Sequence, residues 1–241
     1  MKYTLEIACF NIQSALLASN AGADRLEICD NLHEGGTTPS YGTIKFLKEQ
    51  IPTPLFVMVR PKGGDFLYSK DEFEVMQKDL LLVKKLGCEG VVFGFLYRDG
   101  TIDKTMTSRF VELAYPMEVT FHRAFDRAID PLQALEDIID CGCQRVLTSG
   151  QKLTAVEALP LIKALVMQAD DRIIIMPGSG VNSNNIQNIT EQTGATELHA
   201  STKMMVPSTM KYVKEQMGGN LEDTIVNAEE IICMKQYLTS L

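Results

Sequence analysis

One short stretch of the sequence, Thr120–Asp126, reads TFHRAFD and combines an imidazole, a guanidinium and a carboxylate. It continues the strand-like run MEVTF, and charged side chains inside a fold are costly unless they have partners. A histidine near a carboxylate can transfer protons, and an arginine can hold an anion. The stretch is therefore either a solvated loop or part of a functional site.

Similar side chains lie in or at the ends of other apolar runs. They are Glu6, Glu27, Cys29, Arg60, Glu197, His199 and Ser201. Because side chains alternate across a strand, Glu197, His199 and Ser201 share one face. If the equivalent faces point to a common interior, carboxylates, an arginine and two histidines converge there. The alternative is a structural role, for example a buried pair between Glu27 and Arg60.

The turn MPGSGVNSNN (176–185) is a candidate of another kind. Its residues Gly178, Ser179 and Gly180 allow the backbone to approach a ligand closely, and amides at a helix N-terminus bind anions. Together with Ser201, the turn predicts a phosphate-binding site. The alternative is an ordinary tight turn between a strand and a helix.

The elements that position these residues follow from the hydrophobic pattern. Short apolar runs predict eight strands, at 5–10, 25–30, 55–60, 90–96, 117–123, 145–150, 172–178 and 197–201, separated by stretches with helical periodicity. Strict alternation predicts a parallel α/β sheet, and eight units close most economically into a TIM-type (β/α)8 barrel. A doubly wound open sheet is disfavoured because no Gly-x-Gly-x-x-Gly follows the first strand. We predict a single domain over residues 1–241, with an extra C-terminal loop and helix.

The composition limits the partners. The chain of 241 residues has a formal net charge of −8, which argues against a protein that binds nucleic acid. No apolar run is long enough to span a membrane, and the start MKYTLEIACF lacks the features of a signal peptide. We therefore expect no membrane partner and a cytoplasmic location. The six cysteines are scattered and are predicted to be free thiols.

Taken together, the motifs resemble those of one family. LEIACF, GADRLEIC, EGGTTPSYG, RPKGGDF, TFHRAFD, RVLTSG, GSGV and ELHAS are similar to the CutC family of copper homeostasis proteins. The resemblance implies a TIM-type barrel, a cytoplasmic homo-oligomer (a dimer or larger) and a role in copper homeostasis with binding of cuprous ion. It carries over Cys29 as a metal ligand and a shared polar set of Glu6, Glu27, Arg60, His122, Arg123, Asp126, His199 and Ser201.

One position departs from the family pattern. Family members place a cysteine two residues after the glutamate of the first strand, whereas this chain has Ala8 there. The nearby Cys9 should face the opposite side of the strand. Cuprous ion prefers soft thiolate or thioether ligands, so Cys29 is left without a second inward thiol.

Two functions stay open. The first is copper homeostasis, with cuprous ion bound and Cys29 as its first ligand. The second is an enzyme of the isomerase or lyase type that acts on a small anionic or phosphorylated metabolite at the C-terminal face of the barrel. In that enzyme His122 is the general acid or base, oriented by Asp126 or another carboxylate. The partner base is Glu27 or Glu197, and Arg60 holds the anion. A variant is hydrolysis assisted by a divalent metal ion on Glu6, Glu27, His122 and His199.

Overall fold

Eight parallel strands form the centre of the computed structural model, which describes residues 3–214, 216 and 221–240. They are β1 (Thr4–Cys9), β2 (Arg25–Ile28), β3 (Leu55–Met58), β4 (Gly90–Phe93), β5 (Glu118–Phe121), β6 (Arg145–Thr148), β7 (Ile174–Pro177) and β8 (Glu197–Ala200). Neighbouring strands follow the order β7-β6-β5-β4-β3-β2-β1-β8, and β7 packs against β8. The sheet thus curls into a nearly closed barrel, which confirms the predicted (β/α)8 fold.

Helices alternate with these strands. They are α1 (Ile12–Asn20), α2 (Tyr41–Gln50), α3 (Lys70–Lys85), α4 (Lys104–Ala114), α5 (Pro131–Asp140), α6 (Leu159–Ala169), α7 (Ile186–Thr193) and α8 (Ala228–Ser240). Local signals set their ends: Ser69 and Glu72 form a capping box at the start of α3, and α7 ends at Gly194 in the left-handed region, with a φ of 77°. No helix within the described ranges is long and apolar enough to cross a membrane.

Alternation along the strands separates two packing layers. Leu5 and Ile7 on β1, like Leu26 and Ile28 on β2, belong to the apolar core between the barrel and the helices. The residues between them, such as Glu6, face the interior of the barrel. Buried charged residues therefore gather inside the barrel, where the cost of burial is offset only by pairing.

The segment after β8 differs in part from the predicted loop. Lys203–Val206 (β9) and Asp223–Val226 (β10) pair as an antiparallel two-stranded sheet, and α8 follows as predicted. The two strands are separated by a long connection, so the sequence carries no hairpin turn signal. The loop glycines Gly218 and Gly219 lie outside the described residues.

Candidate functional site

A cavity of about 680 Å³ opens at the carboxyl ends of the barrel strands, the end at which barrels of this type carry their sites. Among the residues predicted from sequence, those that line it are Glu27, Arg60, His122, Arg123, Asp126, Ser179, Gly180, His199 and Ser201. The strand ends therefore do converge. Four other predicted residues, Glu6, Cys29, Gly178 and Glu197, are not part of its wall.

Glu6, Glu27 and His199 form a compact buried cluster at this cavity. The strand register places Glu6 beside His199 of β8, and His199 Nδ1 donates a hydrogen bond of 2.8 Å to Glu6 Oε1. The other imidazole nitrogen, Nε2, lies 3.7 Å from Glu27 Oε2. One potential ligand atom from each residue lies within 4.8 Å of the other two. In the described part of the chain, no other group of three such side chains is close enough to hold a metal ion.

Burial and neighbouring charges set the protonation of this cluster. Burial raises the pKa of Glu6, but Arg25 and His199 outweigh it and hold that pKa at about 2. Burial also raises the pKa of Glu27. For His199 burial lowers the pKa, but the Glu27 and Glu6 carboxylates outweigh it, so the pKa is raised. Glu6 is therefore ionised and keeps a proton on His199 Nδ1, which leaves Nε2 facing Glu27.

Glu27 itself has an unused oxygen. Its Oε2 accepts a weak hydrogen bond of 3.5 Å from the Cys29 thiol, whereas Oε1 is buried and has no hydrogen-bond partner among the described residues. A buried carboxylate oxygen without a partner is costly unless a ligand, an ion or a water meets it.

The prediction that Glu197 belongs to the catalytic group is corrected by its position. Glu197 is the first residue of β8, at the amino end of the barrel, and it accepts hydrogen bonds from Arg25 and Arg145. Arg25 also binds Glu6. Alternation correctly placed Glu197 on the same face as His199, but it gave no information on depth, and two residues span about 6.6 Å along a strand. Glu197 thus belongs to an ion-pair network beneath the cavity.

Cys29 directly follows β2, two residues after Glu27, and packs in a small apolar cluster. Burial, reinforced by the Glu27 carboxylate, raises the pKa of its thiol well above the ordinary range. Ala8 lines the cavity, and Cys9 belongs to the outer core as predicted. A cuprous site built on two inward thiolates does not fit these residues.

His122 lies at the end of β5, which is opposite β1 in the strand order. Its Nδ1 accepts a hydrogen bond of 3.2 Å from the Ala124 amide, so the neutral ring carries its proton on Nε2. Nε2 is buried and has no hydrogen-bond partner among the residues that the structure describes. Burial and, to a smaller extent, Arg60 lower the pKa of His122 to about 3. His122 is therefore a neutral hydrogen-bond donor at the cavity.

Asp126 does not orient His122, contrary to the prediction. Its carboxylate accepts hydrogen bonds from the Thr148 hydroxyl, the Ser149 amide and hydroxyl, and the Gln151 amide. It also pairs with Arg123 over 2.8 Å, and Arg123 donates to Ser149 Oγ over 2.8 Å. Asp126 thus fixes the loop after β6 and holds Arg123 at the rim of the cavity.

Arg60 does not pair with Glu27. Its guanidinium donates to the backbone carbonyls of Glu34, Gly36 and Gly64 over 2.7 to 2.8 Å, and only Nε has no partner among the described residues. Arg60 therefore ties together the two loops that follow β2 and β3. Its predicted contact with an anion is limited to what Nε can offer.

The glycine-rich turn after β7 is shaped largely by packing. A Cβ at Gly178 would lie 2.5 Å from Leu147 Cδ1, and a Cβ at Gly180 would lie 2.9 Å from Thr154 Cγ2. The Ser179 hydroxyl donates to the Leu153 carbonyl over 2.7 Å. Ser179 and Gly180 line the cavity whereas Gly178 does not, so the phosphate-binding role of this turn stays a prediction.

Comparison with known proteins identifies the family. The family model described as the CutC family matches residues 3–204. The chain belongs to the CutC family. A copper homeostasis protein cutC homolog of Homo sapiens is 48% identical over 221 residues, which cover 91% of this chain and 81% of that protein. A CutC family protein of Bacteroides thetaiotaomicron is 44% identical over 247 residues and covers 99% of both chains.

Solved structures agree with this assignment. The putative copper homeostasis protein CutC of Streptococcus agalactiae superposes with a TM-score of 0.79 at 32% identity, covering 83% of this chain and 98% of that one. Phosphoribosyl anthranilate isomerase of Thermotoga maritima has a TM-score of 0.62 at 10% identity, covering 99% of this chain and 100% of that one, which shows the fold alone. At the level of the family, the chain is a CutC copper homeostasis protein.

Several residues of this CutC site carry no clear signal in the sequence. Phe66, Lys152 and Lys203 line the cavity from loops and from β9, where no periodicity reports which way a side chain points. Arg25 opens β2 and is 6% exposed. As the first charged residue of an apolar run it resembles a solvated strand end, and only the register beside Glu6 reveals its partner.

Proposed function

We propose that this CutC family protein serves copper homeostasis by binding a divalent metal ion between His199 Nε2 and Glu27. Among divalent ions, Cu²⁺ is the one expected to bind most tightly. Glu6 orients the imidazole. The observation that carries the proposal is Glu27 Oε1, a buried carboxylate oxygen without a partner in the described residues, close to an imidazole whose other nitrogen is held by a second carboxylate.

The donor set favours this kind of ion. Imidazole nitrogen and carboxylate oxygen suit Cu²⁺, Zn²⁺ and related divalent ions, and for a given site of this type Cu²⁺ binds most tightly in the first-row series. A metal-ligating histidine usually donates its second N–H to a carboxylate, which fixes the ring. The hydrogen bond between His199 and Glu6 has this form.

Cuprous ion is the less suitable occupant. Its preferred ligands are thiolates and thioethers, and a thiol must lose its proton before it binds a metal as thiolate. Burial raises the pKa of Cys29, and Ala8 supplies no second thiol. On this view Cys29 packs in the apolar cluster beside Glu27 and does not hold the ion.

The test is a competition titration with a chromophoric chelator, on wild type and four variants. Glu27→Gln and His199→Asn should each weaken Cu²⁺ binding by at least about tenfold to a hundredfold, because loss of a direct ligand costs no less than loss of a group that only orients a ligand. Cys29→Ser should leave it unchanged, as should the matched control Cys233→Ser, whose thiol is exposed. The wild type should bind Cu²⁺ more tightly than Zn²⁺, and Zn²⁺ more tightly than Mn²⁺.

Loss of copper binding in Cys29→Ser, with Glu27→Gln unaffected, would contradict the proposal and restore the cuprous site. Urea unfolding of each variant separates a lost ligand from a lost fold. The cytoplasmic location and the homo-oligomer implied by the family are part of the proposal, and light scattering on the purified protein tests the second of them.

The isomerase or lyase alternative gains nothing from the relatives, since those whose names describe a role are named for copper homeostasis. Its proton-transfer group has also lost the predicted partner, since Asp126 is bonded elsewhere. Of the predicted catalytic groups, His122 keeps an Nε2–H donor without a partner among the described residues. Binding of a ligand would use this donor without any proton transfer.

A further inference from the structure

We infer that the cavity also binds a small polyhydroxylated anion, such as a sugar phosphate or a sugar acid, which accepts a hydrogen bond from His122 Nε2. This site goes beyond the proposed metal-binding function. It uses the wall of the cavity at β5, across the barrel from β1.

His122 is built as a fixed donor. Its side chain is buried, with 4% of the residue exposed, and the Ala124 amide holds Nδ1 as the acceptor. The ring has little freedom, because a Cβ at Gly94 would lie 2.6 Å from Nδ1 and the Phe66 ring centre lies 4.9 Å from the imidazole centre. A buried N–H in such a frame is costly unless an acceptor reaches it, and because His122 lines the cavity, a ligand held there would supply that acceptor.

The rest of the wall selects for negative charge. Three of its carboxylates already accept hydrogen bonds: Asp126 from the loop after β6, Glu34 from the Gly64 amide and Glu157 from the Thr154 hydroxyl. By contrast, Arg60 Nε has no hydrogen-bond partner among the described residues, and Lys152 and Lys203 form no ion pair with any of those residues. These unpaired donors lie at the cavity together with His122, which favours a ligand that is rich in oxygen and carries a net negative charge.

One unused acceptor gives the ligand its second feature. Glu27 Oε1 has no partner in the described chain, and a hydroxyl or amine donor would satisfy it. A cavity of about 680 Å³ falls within the size range of small-molecule sites. An anion that also carries hydroxyl groups accepts a hydrogen bond from His122 Nε2 and donates one to Glu27 Oε1. Inorganic phosphate is expected to contact only one of these two groups.

The test uses the three histidines of the chain, His33, His122 and His199. Protein labelled with ¹⁵N-histidine and freed of metal by chelator is titrated with ribose 5-phosphate and with gluconate, and then with ribose and inorganic phosphate. The His122 Nε2 resonance should shift and saturate with at least one of the first two probes. It should respond at least about tenfold more weakly to ribose and to phosphate, each of which lacks one feature. The signals of the exposed His33 should not move.

Two variants decide whether His122 is the donor. His122→Phe keeps a ring against Phe66 but removes the N–H, and it should weaken binding of the responding probe roughly tenfold to a hundredfold, as expected for a lost hydrogen bond to a charged group. His122→Gln restores an N–H donor at similar reach and should bind within a few-fold of wild type. His33→Phe is the matched control and should change nothing.

The inference is overturned if neither ribose 5-phosphate nor gluconate saturates below about 10 mM. It is also overturned if folded His122→Phe binds as wild type does, or if inorganic phosphate binds as tightly as the sugar phosphate. Because the titration is done without metal, its result is independent of the copper titrations.

Discussion

Replacement of Arg25 by methionine tests the ion-pair network beneath the cavity. Arg25 is 6% exposed and Glu6 is fully buried, and the guanidinium binds both Glu6 and Glu197. Methionine keeps much of the length and the apolar stem of the side chain but leaves the Glu6 carboxylate without its strongest partner. Removing one partner of a buried pair costs about 3–5 kcal/mol, so Arg25→Met should lower the free energy of unfolding by that amount.

A neighbouring change should cost less. Glu197→Gln leaves Arg25 bound to Glu6 and leaves Arg145 bound to Glu118 over 2.7 Å. It weakens two hydrogen bonds without exposing an unpaired carboxylate, so we expect a loss of about 1–3 kcal/mol. Since Glu197 lies at the amino end of the barrel, this variant should bind Cu²⁺ as wild type does.

The assay is urea unfolding followed by circular dichroism, with Arg109→Met as the control because Arg109 is an exposed arginine on α4. The control should change the free energy of unfolding by no more than about 0.5 kcal/mol. A loss below about 1 kcal/mol for Arg25→Met, less than a typical buried pair, would refute the network. So would a loss of copper binding in Glu197→Gln as large as that in His199→Asn, because it would place Glu197 in the site.

Three further predictions concern the cavity. The pKa of His122 is about 3 in the folded protein against an ordinary 6.5, so the unfolded chain binds more protons between these values and stability falls as the pH drops below 6.5. At pH 5 the loss is about 2 kcal/mol, and urea titrations of His122→Gln should lack it; an equal slope in both proteins would contradict the shift. Gly94→Ala puts a Cβ 2.6 Å from His122 Nδ1 and should cost about 1–3 kcal/mol, whereas an unchanged thermal midpoint would show that the ring is free to move. Ala8→Cys, in register with Glu27, should raise cuprous-ion affinity at least about tenfold by adding an inward thiol near Cys29, and unchanged affinity in an anaerobic titration would show that the two thiols do not meet.

Most of the fold could be predicted from the sequence because its local and global signals agree. Each predicted strand overlaps a strand of the barrel, since the apolar runs are short, β-branched and separated by helical patterns. The pair β9 and β10 escaped prediction because its pairing joins Lys203–Val206 to Asp223–Val226 across a long connection. Such non-local pairing leaves no periodic signal near either strand.

The site was only partly predictable, because the sequence pattern does not give the position of a residue along the barrel axis. Alternation tells which face a residue takes, so His199 and Glu27 were correctly expected at a shared interior. It does not tell the height along the strand, which separates Glu197 from His199. Nor does closeness in sequence imply contact: Asp126 is four residues from His122 but turns towards the loop after β6.

The most direct test of the proposed copper site is electron paramagnetic resonance of the protein loaded with one equivalent of Cu²⁺, with pulsed measurements that detect coordinated imidazole nitrogen. We predict one imidazole bound through its Nε2, together with oxygen ligands, in wild type and in Cys29→Ser, and loss of the nitrogen signal in His199→Asn. A spectrum with sulfur ligation that disappears in Cys29→Ser, or an imidazole signal that survives in His199→Asn, would contradict a copper site built on His199 and Glu27.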